Sequence, residues 1–309
     1  MLGIKELQGN LKSMRNRVRP LLVGAVVLGF LVGIHSVALA EGFKDYHYDF
    51  INFDINILAN SDMEITETQK FVFTSGNFHY GYRWLPLDKV DSIDRVEVWE
   101  NGKKYPQNPE VKEWIYMQKK EGGSDGGDTY AFTTWTEGNK MWIGWWFPET
   151  QGGSRTFSIR YLVHGGLSIY KEVDWLHWKA IFKDRDVPIM SGRVTVHFPK
   201  PVSPERLITD SSGVATQSKI IDDRTIEFTT GRIPQGKELK IKVIFPRGIV
   251  AADVPQWQKE SNSHSWFELL FIFLALLFFL LWFFYLIRSR GARQYSNGGS
   301  ARDDGSDFQ

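Results

Sequence analysis

Acids, a few histidines and aromatic rings are the chemistry-bearing groups of this chain, because it has no cysteine. That absence removes thiolate nucleophiles, disulfides, iron–sulfur clusters and cysteine-held zinc together. Among the acids Glu67 stands out. In Met63-Glu64-Ile65-Thr66-Glu67-Thr68-Gln69-Lys70-Phe71-Val72-Phe73 the odd positions carry the apolar residues, so a strand puts Glu67 on the face turned to a core. A carboxylate there is costly unless it is paired or hydrogen-bonded. The chain reads as turning at Ser75-Gly76-Asn77 and returning through His79 to Pro86, which predicts a structural Glu67–Arg83 ion pair clamping a hairpin. A lone acid, without a second acid or a histidine, does little acid–base work.

The other acid–base candidates are thin. His47, His79, His164, His177 and His197 are scattered and form no HExxH or i, i+4 pair, so no metal site is expected. His177 near Asp174 is the best lone pair, and a hydrolase built on Glu67, Asp174 and His177 is the weakest reading of the chain. There is no Gly-x-Ser-x-Gly elbow, no GxGxxG and no P-loop, and no cofactor is expected. Asp125 and Asp128 lie in a glycine-rich segment without the EF-hand spacing, which reads as a hairpin tip rather than a calcium loop.

Aromatic residues are the stronger lead, with 12 Trp, 11 Tyr and 22 Phe. Lys140 to Phe147 reads as an aromatic strand with Trp142 and Trp146 on one face and Trp145 on the other. A core needs one face only. Exposed rings on the second would stack on sugars or hold a partner's apolar anchor, making Trp142, Trp145 and Trp146 candidate binding residues; a neighbouring unit covering that face is the structural alternative.

The elements that position these residues read as strands. Alternation marks Ile51 to Ile57, Phe157 to Val163, and Val194, Val196 and Phe198. Asn101-Gly102 is the best two-residue hairpin signal. Glu113 to Lys119 and Thr129 to Thr136 read as strands about the glycine-rich tip, and Pro148 to Ser154 reads as a turn. Residues 167–189 are irregular, and the spacing of Trp175 and Trp178 suits a short helical turn. Further strands are expected at Val214 to Ile221, Thr225 to Thr230 and Glu238 to Phe245. The fold class is therefore all-β: two packed sandwich-like subdomains, one over 41–166 and a small one over 190–250, joined by 167–189.

Both ends point to a membrane. Basic residues, an apolar stretch from Leu21 to Ile34 and Ala38-Leu39-Ala40 make residues 1–40 an export signal with its cut expected before Glu41, an uncleaved signal anchor being the alternative. Residues 251–265 read as a polar linker. Trp266 to Ile287 is an apolar run whose only charge, Glu268, lies in its first turn; about 22 residues at roughly 1.5 Å give about 33 Å of helix, enough for one span. Arg288, Arg290 and Arg293 open a short tail, 288–309, and place it inside. The expectation is a single-pass type I protein of a bacterial plasma membrane, with its β-domain outside and the bilayer as a partner. The charge is balanced, 37 basic against 36 acidic residues, so no field argues for nucleic acid.

Two stretches carry a family resemblance. Tyr46 and Ile65-Thr66-Glu67 precede Gly81-Tyr82-Arg83-Trp84-Leu85-Pro86; later come Tyr161-Leu162-Val163, Gly165, Asp174, Trp178, Val187-Pro188-Ile189 and Val194 to Pro199. Together, over roughly 46–245, they resemble the bacterial predicted-membrane-protein family called domain of unknown function 2207. The resemblance implies an extracytoplasmic β-rich region after a signal peptide, then transmembrane helix and a cytoplasmic end. Many members carry more than one helix and a long glycine-rich tail, from which this chain departs. The family brings no established activity, so the expected role is a non-enzymatic interaction or structural module of the cell envelope. The alternative is a glycan- or peptidoglycan-binding module using the three tryptophans.

Overall fold

A computed structural model describes residues 44–121 and 126–295, without the side chains of 121, 261–270 and 286–295. The expected export signal and the Asp125 part of the glycine-rich tip lie outside the described residues, as do the arginine side chains at 288–293 and the rest of the tail.

The alternating segments form strands: β1 (Asp45–Ile57), β2 (Met63–Pro86), β3 (Ser92–Glu100) and β4 (Lys103–Lys104). Helix α1 (Val111–Glu121) comes next, followed by β5 (Ala131–Glu137), β6 (Lys140–His164), β7 (Leu167–Ile169), β8 (Val173–Ile181) and β9 (Ile189–His197). β10 (Ile208–Ser212), β11 (Gln217–Asp222), β12 (Thr225–Thr230), β13 (Leu239–Pro246) and helix α2 (Gln256–Tyr295) complete the order. The fold is mostly β. A nine-stranded sheet runs β11-β12-β9-β1-β2-β6-β3-β4, with β5 also on β6, and a four-stranded sheet runs β10-β13-β8-β7.

One continuous core lies between the sheets. Phe53, Ile55, Val194, Val196 and Phe228 face it from the large sheet, and Leu176, Trp178, Ile241, Val243 and Phe245 from the small one. The expected pair of subdomains is thereby corrected. β9 joins β1 in parallel, Phe53 opposite Val194, so residues 190–250 share their strands between both sheets instead of closing a sandwich of their own. The apolar faces of β1 and β9 are each too small to be buried alone, and one shared core removes both from water.

Three local readings also change. Residues 111–121 are helix, not strand, because Val111 and Ile115, four apart, bury together beside the half-buried Trp114. Trp175 and Trp178 sit on strand β8, where a spacing of three puts them on opposite faces; Trp178 is core and Trp175 half-buried. Neither Ser75-Gly76-Asn77 nor Pro148 to Ser154 is a hairpin turn: β2 and β6 run through both as one ribbon, paired from Met63↔Val163 to Pro86↔Lys140. Register shifts between Phe73 and Tyr80 bend it, with Gly76 and Gly153 at φ +88° and +80°, a conformation side-chain-bearing residues rarely adopt. Asn101 and Gly102 do form the tight turn, both at positive φ.

Helix α2 has 40 residues. The supposed linker, 251–265, is helix from Gln256 onward, with only 251–255 outside it, and the first helical turn is fixed to the domain. Trp257 donates its backbone N–H to Asp91 (3.1 Å) and its indole N–H to Gly165 O (2.6 Å). Gln258 accepts from the Ile169 N–H (2.9 Å) and donates to the Ile169 carbonyl (2.8 Å), completing the edge of β7 as a strand would. Residues 271–285 are exposed on every side of the helix. Among the described residues no helix is long and apolar enough to cross a membrane.

Candidate functional site

The bent ribbon makes the site. On a straight strand Glu67 and Arg83 would stand about 53 Å apart at roughly 3.3 Å per residue; here the Arg83 Nε–H donates to both Glu67 oxygens, at 2.9 and 2.8 Å. The pair therefore ties the two arms of one folded strand across the crease, not two strands of a hairpin. Both partners are buried, Glu67 to 1% exposure and Arg83 to 8%. Gln69, next along the same core-facing row, donates its amide to Glu67 (2.5 Å). Arg83 is otherwise held by the carbonyls of Trp84 (2.9 Å) and Ala180 (3.3 Å) and lies 4.1 Å over the Phe182 ring. Charge, hydrogen bonds and stacking together offset the desolvation of the two ions.

A cleft of about 260 Å³ opens along this crease. Its walls are Tyr46 and Tyr48 of β1, Phe71 and Phe73 of the first arm of β2, residues 77–84 of the bend and second arm, and residues 180–182 and 184–186 after β8. Rings dominate: Tyr48 and Phe71 stand 4.5 Å apart, Phe73 and Phe78 4.5 Å, Trp84 and Phe182 4.2 Å. Lys44, Arg83 and Arg185 balance Glu67, Asp184 and Asp186, so the lining carries no formal net charge with His79 neutral. Burial pushes the Tyr46 hydroxyl up to about 12, helped by Tyr82 and Asp186, and raises Tyr48, Tyr80 and Tyr82 as well. Gln69 Oε1, His79 Nδ1 and Arg185 Nε are buried there without a protein partner. A buried polar atom left unpaired is costly, and a bound group would remove the cost.

The other candidate residues do not converge. Trp145 and Trp146 are buried, at 0% and 1% exposure, which takes both rings out of reach of a sugar. Trp145 lies under Gly81, whose missing side chain makes room: a Cβ there would stand 2.2 Å from the indole. Trp146 is covered by α1 through Trp114 and bonds the Gly127 carbonyl (3.0 Å). Trp142 alone stays half-exposed, stacked on Trp135 at 5.8 Å. Asp174 and His177 point to opposite faces of β8; Asp174 is fully buried against Arg247 (3.0 Å), and His177 faces solvent. Glu67 belongs to the other sheet. Among the described residues no three His, Asp or Glu side chains form a group that could hold a metal ion.

Sequence reasoning singled out Glu67 and Arg83 and missed the cleft around them. The signal was a period-two aromatic pattern, Tyr46-x-Tyr48 and Tyr80-x-Tyr82-x-Trp84, with Gln69 on the same buried row as Glu67.

These features define a class: a two-sheet β-domain with a creased ribbon, an aromatic cleft and a C-terminal helix. The chain belongs to the family described as predicted membrane protein (DUF2207), whose N-terminal domain model matches residues 49–245. The two motif stretches, Ile65 to Glu67 and Gly81 to Pro86, meet at the ion pair. No curated protein matches the chain. Among solved structures, a candidate nutrient-binding protein of Legionella pneumophila has a TM-score of 0.38 at 11% identity, over 65% of this chain and 67% of that one. A candidate protease of Parabacteroides distasonis gives 0.36 at 8%, over 64% and 40%. The leukotriene A4 hydrolase of yeast, in complex with bestatin, gives 0.36 at 11%, over 64% of this chain and 28% of that enzyme. Likenesses this low carry no argument about chemistry.

Proposed function

We propose that this protein is a single-pass, membrane-tethered β-domain outside the bacterial plasma membrane, and that it works by non-enzymatic binding in the cleft of the creased ribbon. The observation that carries the binding reading is the cleft's chemistry: aromatic walls, no formal net charge and unpaired buried polar atoms, with its one buried carboxylate already committed to Arg83 and Gln69. Such a carboxylate is poorly placed as a base or nucleophile, which disfavours the hydrolase reading. The glycan reading on the Lys140–Phe147 strand keeps Trp142 alone. Tethering rests on the apolar run 266–287 and on the 271–285 stretch of α2, which is apolar on every side yet exposed, as a segment meeting lipid would be.

Two measurements test this. A protease site inserted at the Asn101-Gly102 turn should be cut by protease added to spheroplasts, while a tag after Gln309 should survive; the reverse pattern overturns the topology. A photo-crosslinking amino acid replacing Tyr82 should give an adduct in living cells, with the same group at the exposed Tyr116 as the control. No adduct at Tyr82 beyond that control overturns the binding reading.

A further inference from the structure

The second arm of β2 carries a free strand edge into the cleft. Residues 77–84 line it consecutively, and among the described residues that arm pairs with β6 and with no strand on its other side. The register fixes which main-chain groups look outward. The two-residue turn between Glu137 and Lys140 makes that pair hydrogen-bonded, so even-numbered residues Trp142, Gly144 and Trp146 bond to β5 and odd-numbered Ile143 and Trp145 bond to β2. Their partners Gly81 and Arg83 therefore spend their N–H and C=O groups on β6, whereas Tyr80, Tyr82 and Trp84 direct theirs into the cleft. Two bonds agree with this phase: the Leu87 N–H reaches Asn139 O (3.1 Å), and the Trp84 carbonyl is free to accept from Arg83.

We propose that the cleft takes an extended peptide, which adds a strand to β2 along Tyr80, Tyr82 and Trp84. The proposal rests on the binding reading above and names its ligand. Donors and acceptors repeating every second residue match the main chain of a peptide, and a sugar ring has no such repeat. A cleft without formal net charge suits a neutral backbone. The stacked rings of Tyr80 and Tyr82 provide contacts for side chains on one face of such a strand. Gln69 Oε1 and Arg185 Nε are an unpaired acceptor and an unpaired donor on residues of the same lining.

The test uses the full chain in lipid nanodiscs and a phage-displayed library of random octapeptides. Peptides with period-two apolar patterning should be enriched. Chemically made copies of the best binder should lose at least tenfold in affinity when alternate amides are N-methylated in one phase, and little in the other. Tyr82→Pro, which removes one outward N–H and leaves the β6 ladder whole, should weaken binding similarly at unchanged melting temperature. Should that variant fail to fold, the N-methyl series on the wild-type chain decides. No enrichment, or equal tolerance of both N-methyl phases, overturns the proposal. A Tyr82 photo-adduct with the mass of a sugar or other small molecule also overturns it while leaving the binding reading intact; no adduct at all removes both.

Discussion

Glu67 and Arg83 show how much a buried charge depends on its partner. Glu67→Gln leaves the guanidinium without a counter-charge at 8% exposure, and it should lower unfolding free energy by about 3–5 kcal/mol in denaturant titrations. The paired replacement Glu67→Leu with Arg83→Met removes both ions and should recover most of that loss; equal damage from the double variant would mean that packing, not charge, governs the site. Gly81→Ala tests a different force. Its methyl would meet the Trp145 ring, so a loss of about 1–3 kcal/mol is expected, and it should shrink when Trp145→Phe opens space. Tyr46 adds a pH signature. With a folded pKa of about 12 against an ordinary value near 10, its proton is held more tightly in the folded state. Its contribution is full below about pH 10 and is lost as pH rises through about 12. Tyr48, Tyr80 and Tyr82 shift in the same direction, so tyrosinate absorbance from this cluster should appear together with unfolding.

At the scale of the element, α1 is a small cover over Trp146 and Gly144, whose missing side chain admits Ile115. Ile115→Ala should cost about 2–4 kcal/mol and brighten or red-shift Trp146 fluorescence in a variant keeping that one tryptophan. Strand alternation was legible wherever one face met the core, as along Ile51 to Ile57 and at Val194 and Val196. It failed at α1 because Trp114, Tyr116 and the residues around them satisfy period two and a helical stripe alike over so short a run. Glu67 was legible because a carboxylate in an apolar row needs a cause. Its partner was identified by a wrong route, a hairpin, because Gly76 marks a bend as readily as a turn and the chain alone does not say whether the ladder continues through it. The cleft was illegible for the same reason: it exists only because β2 and β6 bend together, a property of their pairing that neither strand carries by itself.

The whole molecule is one double layer in which β9 lies beside β1 and the chain's two halves share a core, so a cut between 166 and 190 should yield no independently folded piece. Limited proteolysis followed by thermal melting would show this as a single transition. The helix is part of the same body. Gln258→Ala removes both bonds to Ile169 and should cost about 1–3 kcal/mol, read locally as faster hydrogen exchange at the Ile169 amide. That clip makes the helix a lever on the sheets. Gln258 grips β7, β7 pairs with β8, and β8 leads directly into Phe182 and the 184–186 segment that face the open edge of β2 across the cleft. A displacement of the first helical turn would thus reach Phe182, at the start of the far wall of the cleft, through two hydrogen-bonded joints.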